Sequence, residues 1–252
     1  MRPGAMRLAI AGLVAAISAG GAQAAEIKVL CSNGLRAVLE EVAPEFERSS
    51  GHKLTIQYGL AAAFKRQIDA GETFDLVVLT PPLLDDAIKG GKVAGDTRTV
   101  IARAGIGLAI RQGAARPDIV TAEAFKRTLL AASSVGYARE GASGAYFAGL
   151  IGRLGLAEPM GAKLKAMQTG VEVGNAVARG EVELAVLPIS EILPVKGAEL
   201  LGPFPADVQS YIVMTAGVSA AAKQHDAAVQ LIKFLKDPKT LPVIAKKGME
   251  PG

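Results

Sequence analysis

Ile27-Lys28-Val29-Leu30-Cys31 runs into Ser32-Asn33-Gly34, and the reading of that junction decides the fold. The first five residues have the apolar, β-prone character of a strand. The turn after them opens a helix whose apolar residues, Leu35, Val38, Leu39, Val42 and Phe46, recur at helical spacing. Gly51 ends that helix, and Lys53-Leu54-Thr55-Ile56-Gln57-Tyr58 reads as a second strand. A helix from about Ala61 to Ala70 stops at Gly71. Phe74-Asp75-Leu76-Val77-Val78-Leu79 is then a third strand, apolar enough to be buried on both faces. Thr80-Pro81-Pro82 starts the helix Leu83 to Lys89. Such a βαβαβα order predicts a parallel sheet with right-handed crossovers.

The alternation continues downstream. Thr99 to Ile110 reads as extended crossing segments divided at Ala104-Gly105. A second unit follows: helix Thr121 to Ala131, strand Ser134 to Tyr137, a long helix after Gly141-Ala142-Ser143-Gly144, helix Val171 to Arg179 and strand Glu183 to Leu187. Ser210 to Gly217 is extended again, and two helices close the chain, Asp226 to Leu235 and Pro238 to Lys247. These last helices have no sheet of their own and must pack on one already built. The expectation is an α/β fold of two lobes, each a mainly parallel sheet flanked by helices. Lobe 1 is discontinuous (25–104 and 214–252), lobe 2 is inserted (105–213), and the two crossing segments form the hinge.

Upstream of the first strand, Arg2 and Arg7 precede the apolar run Leu8 to Ile17, and small residues lead to Ala22-Gln23-Ala24. A basic n-region, an apolar h-region and an A-x-A site mark residues 1–24 as a cleaved signal peptide. The run falls short of the ~20 residues that span a bilayer. The exported chain is therefore expected in the periplasm. Cys31 is the single cysteine, so no internal disulfide can form, and a buried thiol is its ordinary reading. One Cys and two His (His52, His225) offer no metal cluster. Without Arg2 and Arg7, 26 basic residues face 24 acidic ones, scattered and with no basic tract, which excludes a nucleic-acid partner. There is no Trp, and the core must be built mainly from aliphatic residues.

In open parallel sheets a ligand sits beyond the carboxyl ends of the strands. Five loops qualify: Ser32-Asn33-Gly34, Tyr58-Gly59-Leu60-Ala61, Thr80-Pro81, Arg139 to Gly144, and Pro188-Ile189-Ser190. Most open a helix, whose free N–H groups and dipole favour an anion. Ser32, Asn33 and Ser143 read equally as helix caps or as ligand donors. Arg139 can clamp a carboxylate or phosphate, or else pair with Glu140 at the surface. Tyr58 and Tyr146 read as an aromatic wall, with core packing the better reading of Tyr146. An enzyme on the same fold, a hydrolase or isomerase using Ser143 or Cys31, stays open. Gly141-Ala142-Ser143-Gly144-Ala145 departs from the G-x-S-x-G elbow at its last position, and no His is suitably placed. No catalytic residue, metal or cofactor is assigned.

Together these features resemble the periplasmic solute-binding proteins of ABC importers, and within them the molybdate-binding protein family. The resemblance rests on Val29 to Leu39, Phe64-Lys65-Arg66-Gln67-Ile68-Asp69-Ala70-Gly71 with Phe74 to Val78, Ala142 to Leu156, and Lys247-Gly248-Met249-Glu250. It implies a monomer that closes on a small anion and docks on a membrane permease. That family holds its oxyanion with hydroxyls from the first two loops and a Tyr after a late strand. Here those places are Gly34, Leu60-Ala61-Ala62-Ala63 and Pro188. Each lost hydroxyl removes a donor worth roughly 1–3 kcal/mol. Ser32, Asn33, Thr80, Arg139, Ser143 and Ser190 offer a different donor set, around backbone contributed by Gly34, Gly59, Leu60, Ala61, Gly144 and Pro188. Within that set, Arg139 points to a small carboxylate or phosphorylated acid. A sensory or adhesive exported protein without transport is the other reading.

Overall fold

The computed structural model describes residues 24–252, so the expected signal peptide, apart from Ala24, lies outside the described residues. In chain order the elements are β1 (Glu26–Ser32), α1 (Asn33–Ser50), β2 (Lys53–Gly59), α2 (Ala61–Asp69), β3 (Leu76–Leu79) and α3 (Pro81–Lys89). Next come β4 (Thr99–Arg111), α4 (Ala122–Ala131), β5 (Val135–Ala138), α5 (Ala142–Arg153), α6 (Ala157–Met160) and β6 (Leu164–Met167). The rest are α7 (Gly170–Arg179), β7 (Leu184–Pro188), α8 (Ile189–Ile192), β8 (Ala198–Pro203), β9 (Tyr211–Val218), α9 (His225–Leu235), α10 (Leu241–Lys246) and β10 (Glu250–Pro251).

β2, β1 and β3 are parallel, with Val29 between Ile56 and Leu76. Their apolar residues explain that placement: Ile27, Val29, Leu30 and all of β3 are fully buried, as expected where helices cover both faces. β9 adds to β3 antiparallel, and Thr99 to Gly105 of β4 add to β9. The remainder of β4 turns to different partners. Ile106 to Ala109 pair with β7 and Gly107 to Arg111 with β8, both antiparallel, while β7, β5 and β6 run parallel. The sheet order is thus β2-β1-β3-β9-β4-β7-β5-β6, with β8 and β10 on the sides of β4.

Thr99 to Ile110 departs from its sequence reading. It is one unbroken strand, because extended backbone at Ala104-Gly105 lets it exchange partners without a break. Sequence reading also passed over β6, β8 and α6. β6 is a short Leu-Lys-Ala-Met segment on the edge, and Gly202-Pro203 at the end of β8 reads as a breaker. Pro44 lies inside α1 without ending it.

Aromatic pairs anchor the core. Phe46 of α1 meets Phe234 of α9 edge-on at 5.4 Å, and Phe125 of α4 meets Phe204 at 4.7 Å. The closing helices α9 and α10 bury Leu231, Leu235 and Ile244 in the same core as β1 and α1.

Candidate functional site

The carboxyl ends of β1, β2 and β3 face those of β5 and β7 across a cavity of about 200 Å³. Helix starts build its wall: Asn33 and Gly34 of α1, Ala61 and Ala62 of α2, Ala142 and Ser143 of α5. No side chain caps α1, α2 or α5, whose N-cap residues are Ser32, Leu60 and Gly141. By contrast Thr121 and Thr169 cap α4 and α7 through their hydroxyls. The first N–H groups of a helix have no intrahelical partner. Three uncapped helices therefore aim amides and positive dipole ends at one cavity, the arrangement that binds an anion. α3 differs, because Pro81 and Pro82 occupy its first positions and carry no N–H. Its contributions to the wall are its N-cap residue Thr80 and the Leu83 side of its first turn.

Several residues expected from the sequence come together here, though not all as donors. Ser32, Asn33 and Gly34 line the cavity, as do Gly59, Leu60, Ala61, Thr80, Ser143 and Pro188. The Ser32 hydroxyl, however, donates to the Val78 carbonyl at 2.6 Å, so its proton is engaged within the fold. Thr80 and Ser143 make no side-chain cap, and Ser143 is buried in the wall. Gly34 leaves room for Met214: a Cβ there would lie 2.2 Å from the Met214 methyl carbon.

Four others stand elsewhere. Arg139 is exposed beside Met167, Gln168 and Glu172, and its N–H donates to the Met167 carbonyl at 3.0 Å. Extension of β5 alongside β6 turns it outward. Tyr58 lies under the Arg36 guanidinium, 5.0 Å from ring centre to Cζ. Gly144 serves packing, since a Cβ would approach the Ala138 carbonyl oxygen to 1.9 Å and drive α5 off β5. Ser190 donates to the Gly34 carbonyl at 2.9 Å and lies behind the cavity wall. Tyr146 is likewise a strut, its hydroxyl donating to the Val208 carbonyl at 2.9 Å.

Sequence reasoning missed the apolar side of the wall, Leu83, Ile212 and Met214, and two carboxyls, Glu140 and Glu191. Glu140 bonds Arg66 of α2 at 2.9 Å, an exposed pair that crosses between the two sides of the cavity. Glu191 follows β7 on α8, where helical spacing alone does not distinguish it from an exposed acid. Burial pushes its carboxyl up to about 7 from 4.5, and no nearby cation opposes the shift. No Arg or Lys lines the cavity among the described residues.

Nucleophilic chemistry finds little support. Cys31 is buried, and burial pushes its thiol well above the ordinary range, which keeps it un-ionised. His52 receives the Ala25 N–H at 3.1 Å and meets Gln230 at 3.0 Å, while His225 pairs with Asp226. Both stand around a different hollow, so neither can activate Ser143. Among the described residues no group of His, Cys, Asp and Glu could hold a metal ion, and no helix is long and apolar enough to cross a membrane.

Two facing strand ends with uncapped helices between them define a binding protein for a small solute. Residues 27–250 match the bacterial extracellular solute-binding protein family, and the chain belongs to it. It is 32% identical over 231 residues to an aconitate isomerase of a Pseudomonas species, covering 89% of this chain and 87% of that one. It is 29% identical over 261 residues to the molybdate-binding protein of Azotobacter vinelandii, covering 96% and 98%. The solved structure of the Azotobacter vinelandii periplasmic molybdate-binding protein superposes with a TM-score of 0.77 at 18% identity, over 90% of this chain and 99% of that one. A sulfate-binding protein of Mycobacterium tuberculosis gives 0.76 at 17%, over 90% and 87%. At such identities the two structures speak for the fold.

Proposed function

We propose that this protein captures a small organic carboxylate in the periplasm and presents it to an ABC permease at the inner membrane. The observation that carries this reading is the composition of the cavity wall. One part offers the amides of α1, α2 and α5 with the hydroxyls of Thr80 and Ser143; the other is Leu60, Leu83, Ile212 and Met214. A bare tetrahedral oxyanion has no use for the second part, whereas the carbon skeleton of an organic acid does. The cavity is smaller than the roughly 300–1,000 Å³ of drug-sized ligand sites, so the acid is small. Loss of the molybdate family's hydroxyls at Gly34, Leu60 to Ala63 and Pro188 fits the same ligand. The lobes would be 25–104 with 214–252 and 105–213, closing by rotation about β4 and the segment before β9. A phosphorylated acid would use the same amides.

The test is calorimetric and thermal titration of the mature protein with trans-aconitate, citrate, sulfate and molybdate. A ligand at 100 times its dissociation constant stabilises by about 2.7 kcal/mol. Stabilisation by the carboxylates is expected; stabilisation by molybdate or sulfate alone would overturn the ligand assignment.

A second reading is an exported isomerase acting on the same class of acid. The aconitate isomerase relative favours it, together with a carboxyl, Glu191, that titrates near neutrality in the cavity. Conversion of trans-aconitate to its cis isomer by the purified protein, followed by proton NMR, would establish it. Binding without conversion leaves the transport reading.

A further inference from the structure

Glu191 stands between two cavities. On one side is the ligand cavity; on the other is a hollow of about 370 Å³ that it shares with Asn33, Arg36, Glu40, Asn175 and Lys196. Arg36, Glu40, Asn175 and Lys196 are exposed, so this second hollow opens to solvent. The Glu191 carboxyl itself is wedged between two glycines. A Cβ on Gly170 would come within 2.3 Å of Oε2, and one on Gly34 would lie 3.9 Å from Oε1. Among the described residues the carboxyl has no ion pair.

Charged groups on the neighbouring elements are otherwise occupied or distant from the ligand side. On α1, Arg36 bonds Glu40 at 2.7 Å, and Glu41 holds Lys246 and Lys247 from the end of α10. On α7 the neighbours are Gly170, Val171 and Asn175, with no charge, while Glu172 bonds the Gln168 N–H at 2.9 Å. After α8, Lys196 lines the outer hollow only. From across the ligand cavity, Glu140 is held by Arg66, and β9 presents Ile212 and Met214.

A free carboxylate at the edge of an anion site would repel the ligand that three helix N-termini attract. We propose that Glu191 enters the complex as a neutral acid, donating its O–H to the bound anion, with the proton drawn from solvent through the outer hollow. Capture of the anion is then coupled to uptake of one proton. The inference rests on the anion-binding reading above and adds a hydrogen-bond donor that the hydroxyl inventory lacks. Protonation removes the like charge beside the anion.

The experiment is calorimetry on the mature protein and on Glu191→Gln at about pH 5.5 and about pH 8.5, each in two buffers of different ionisation enthalpy. Probes are sulfate and molybdate, which remain ionised throughout, and trans-aconitate, whose own ionisation is measured without protein and subtracted. With the carboxyl titrating near 7, affinity should fall about 30-fold between the two pH values, and about one proton should be taken up at the higher one. Glu191→Gln keeps a donor and cannot titrate, so its affinity should be the same at both pH values, with no proton uptake. Wild-type binding that is independent of pH, or a pH dependence retained in Glu191→Gln, would overturn the coupling and leave anion binding intact. Failure of every probe to bind at either pH would overturn both.

Discussion

Ser190 on α8 donates its hydroxyl to the Gly34 carbonyl on α1 at 2.9 Å, a buried bond that joins the end of β7 to the start of the first helix. Gly34 faces the ligand cavity, yet the bond lies behind the wall, so Ser190 holds the site's backbone and contributes no donor to a ligand. Ser190→Ala is expected to cost about 1 kcal/mol of stability. In a chain of this size that lowers the melting temperature by about 2–4 °C. Affinity should change little; a tenfold loss with an unchanged melting temperature would make Ser190 a ligand contact.

Thr80 and Ser143 line the cavity, and neither hydroxyl caps a helix. Thr80→Val and Ser143→Ala should each weaken anion binding by roughly 1–3 kcal/mol, which is about 5- to 150-fold. Arg139→Ala should leave affinity where it was, because the guanidinium stands beside Met167 and Glu172 outside the cavity. Titration of the three variants with one bound anion decides the matter, and a large loss in Arg139→Ala would contradict the geometry.

Gly144 meets backbone, which cannot give way as the end of a side chain can. A methyl group there would sit 1.9 Å from the Ala138 carbonyl oxygen and 3.2 Å from the Tyr137 ring. Gly144→Ala should therefore destabilise by about 3 kcal/mol or more, at the upper end of overpacking costs. Chemical denaturation would measure it. A near-neutral result would mean that α5 can move away from β5 freely.

Glu191 also predicts a pH dependence of stability without any ligand. Its carboxyl is raised from 4.5 to about 7 by burial, so between those values the folded state binds more protons than the unfolded one. Stability is then fullest below about pH 4.5 with respect to this group, and falls as pH rises through 7, by up to about 3 kcal/mol. Glu191→Gln should flatten that part of the profile. An unchanged profile in the variant would assign the fall to other groups. The lowered carboxyls of Glu41, Asp85 and Asp86 lie at the surface and work in the opposite direction at more acid pH.

Much of the fold was legible because it rests on local periodicity. The runs at Val29, Ile56 and Val77 declare strands by composition, and the Leu35-Val38-Leu39-Val42 spacing declares α1 wherever the chain goes afterwards. Less legible were the short edge strand β6 and the Gly-Pro-ended β8, whose pairing depends on partners far away in sequence. Within the site, the loops at Ser32, Leu60, Thr80, Ser143 and Pro188 were found by the rule that ligands gather at strand ends. Direction was what that rule could not supply. Arg139 and Ser190 occupy loops at those strand ends yet lie outside the cavity lining, while Glu191 and Met214 carried no signal in their neighbours.

The sequence by itself determined the order of the main strands and helices, the strand ends on which a site could form, and the kinship with solute-binding proteins. These follow from hydrophobic spacing and turn residues, which act over a few residues at a time. Tertiary structure alone decided which polar groups remain free to meet a ligand. The Ser32 hydroxyl is committed as a donor to the Val78 carbonyl and that of Ser190 to the Gly34 carbonyl, Pro81 and Pro82 left α3 without its first N–H groups, and Glu191 came to rest unpaired against Gly170. Each outcome depends on a neighbour brought from elsewhere in the chain, and burial then sets the energy of the group it leaves there.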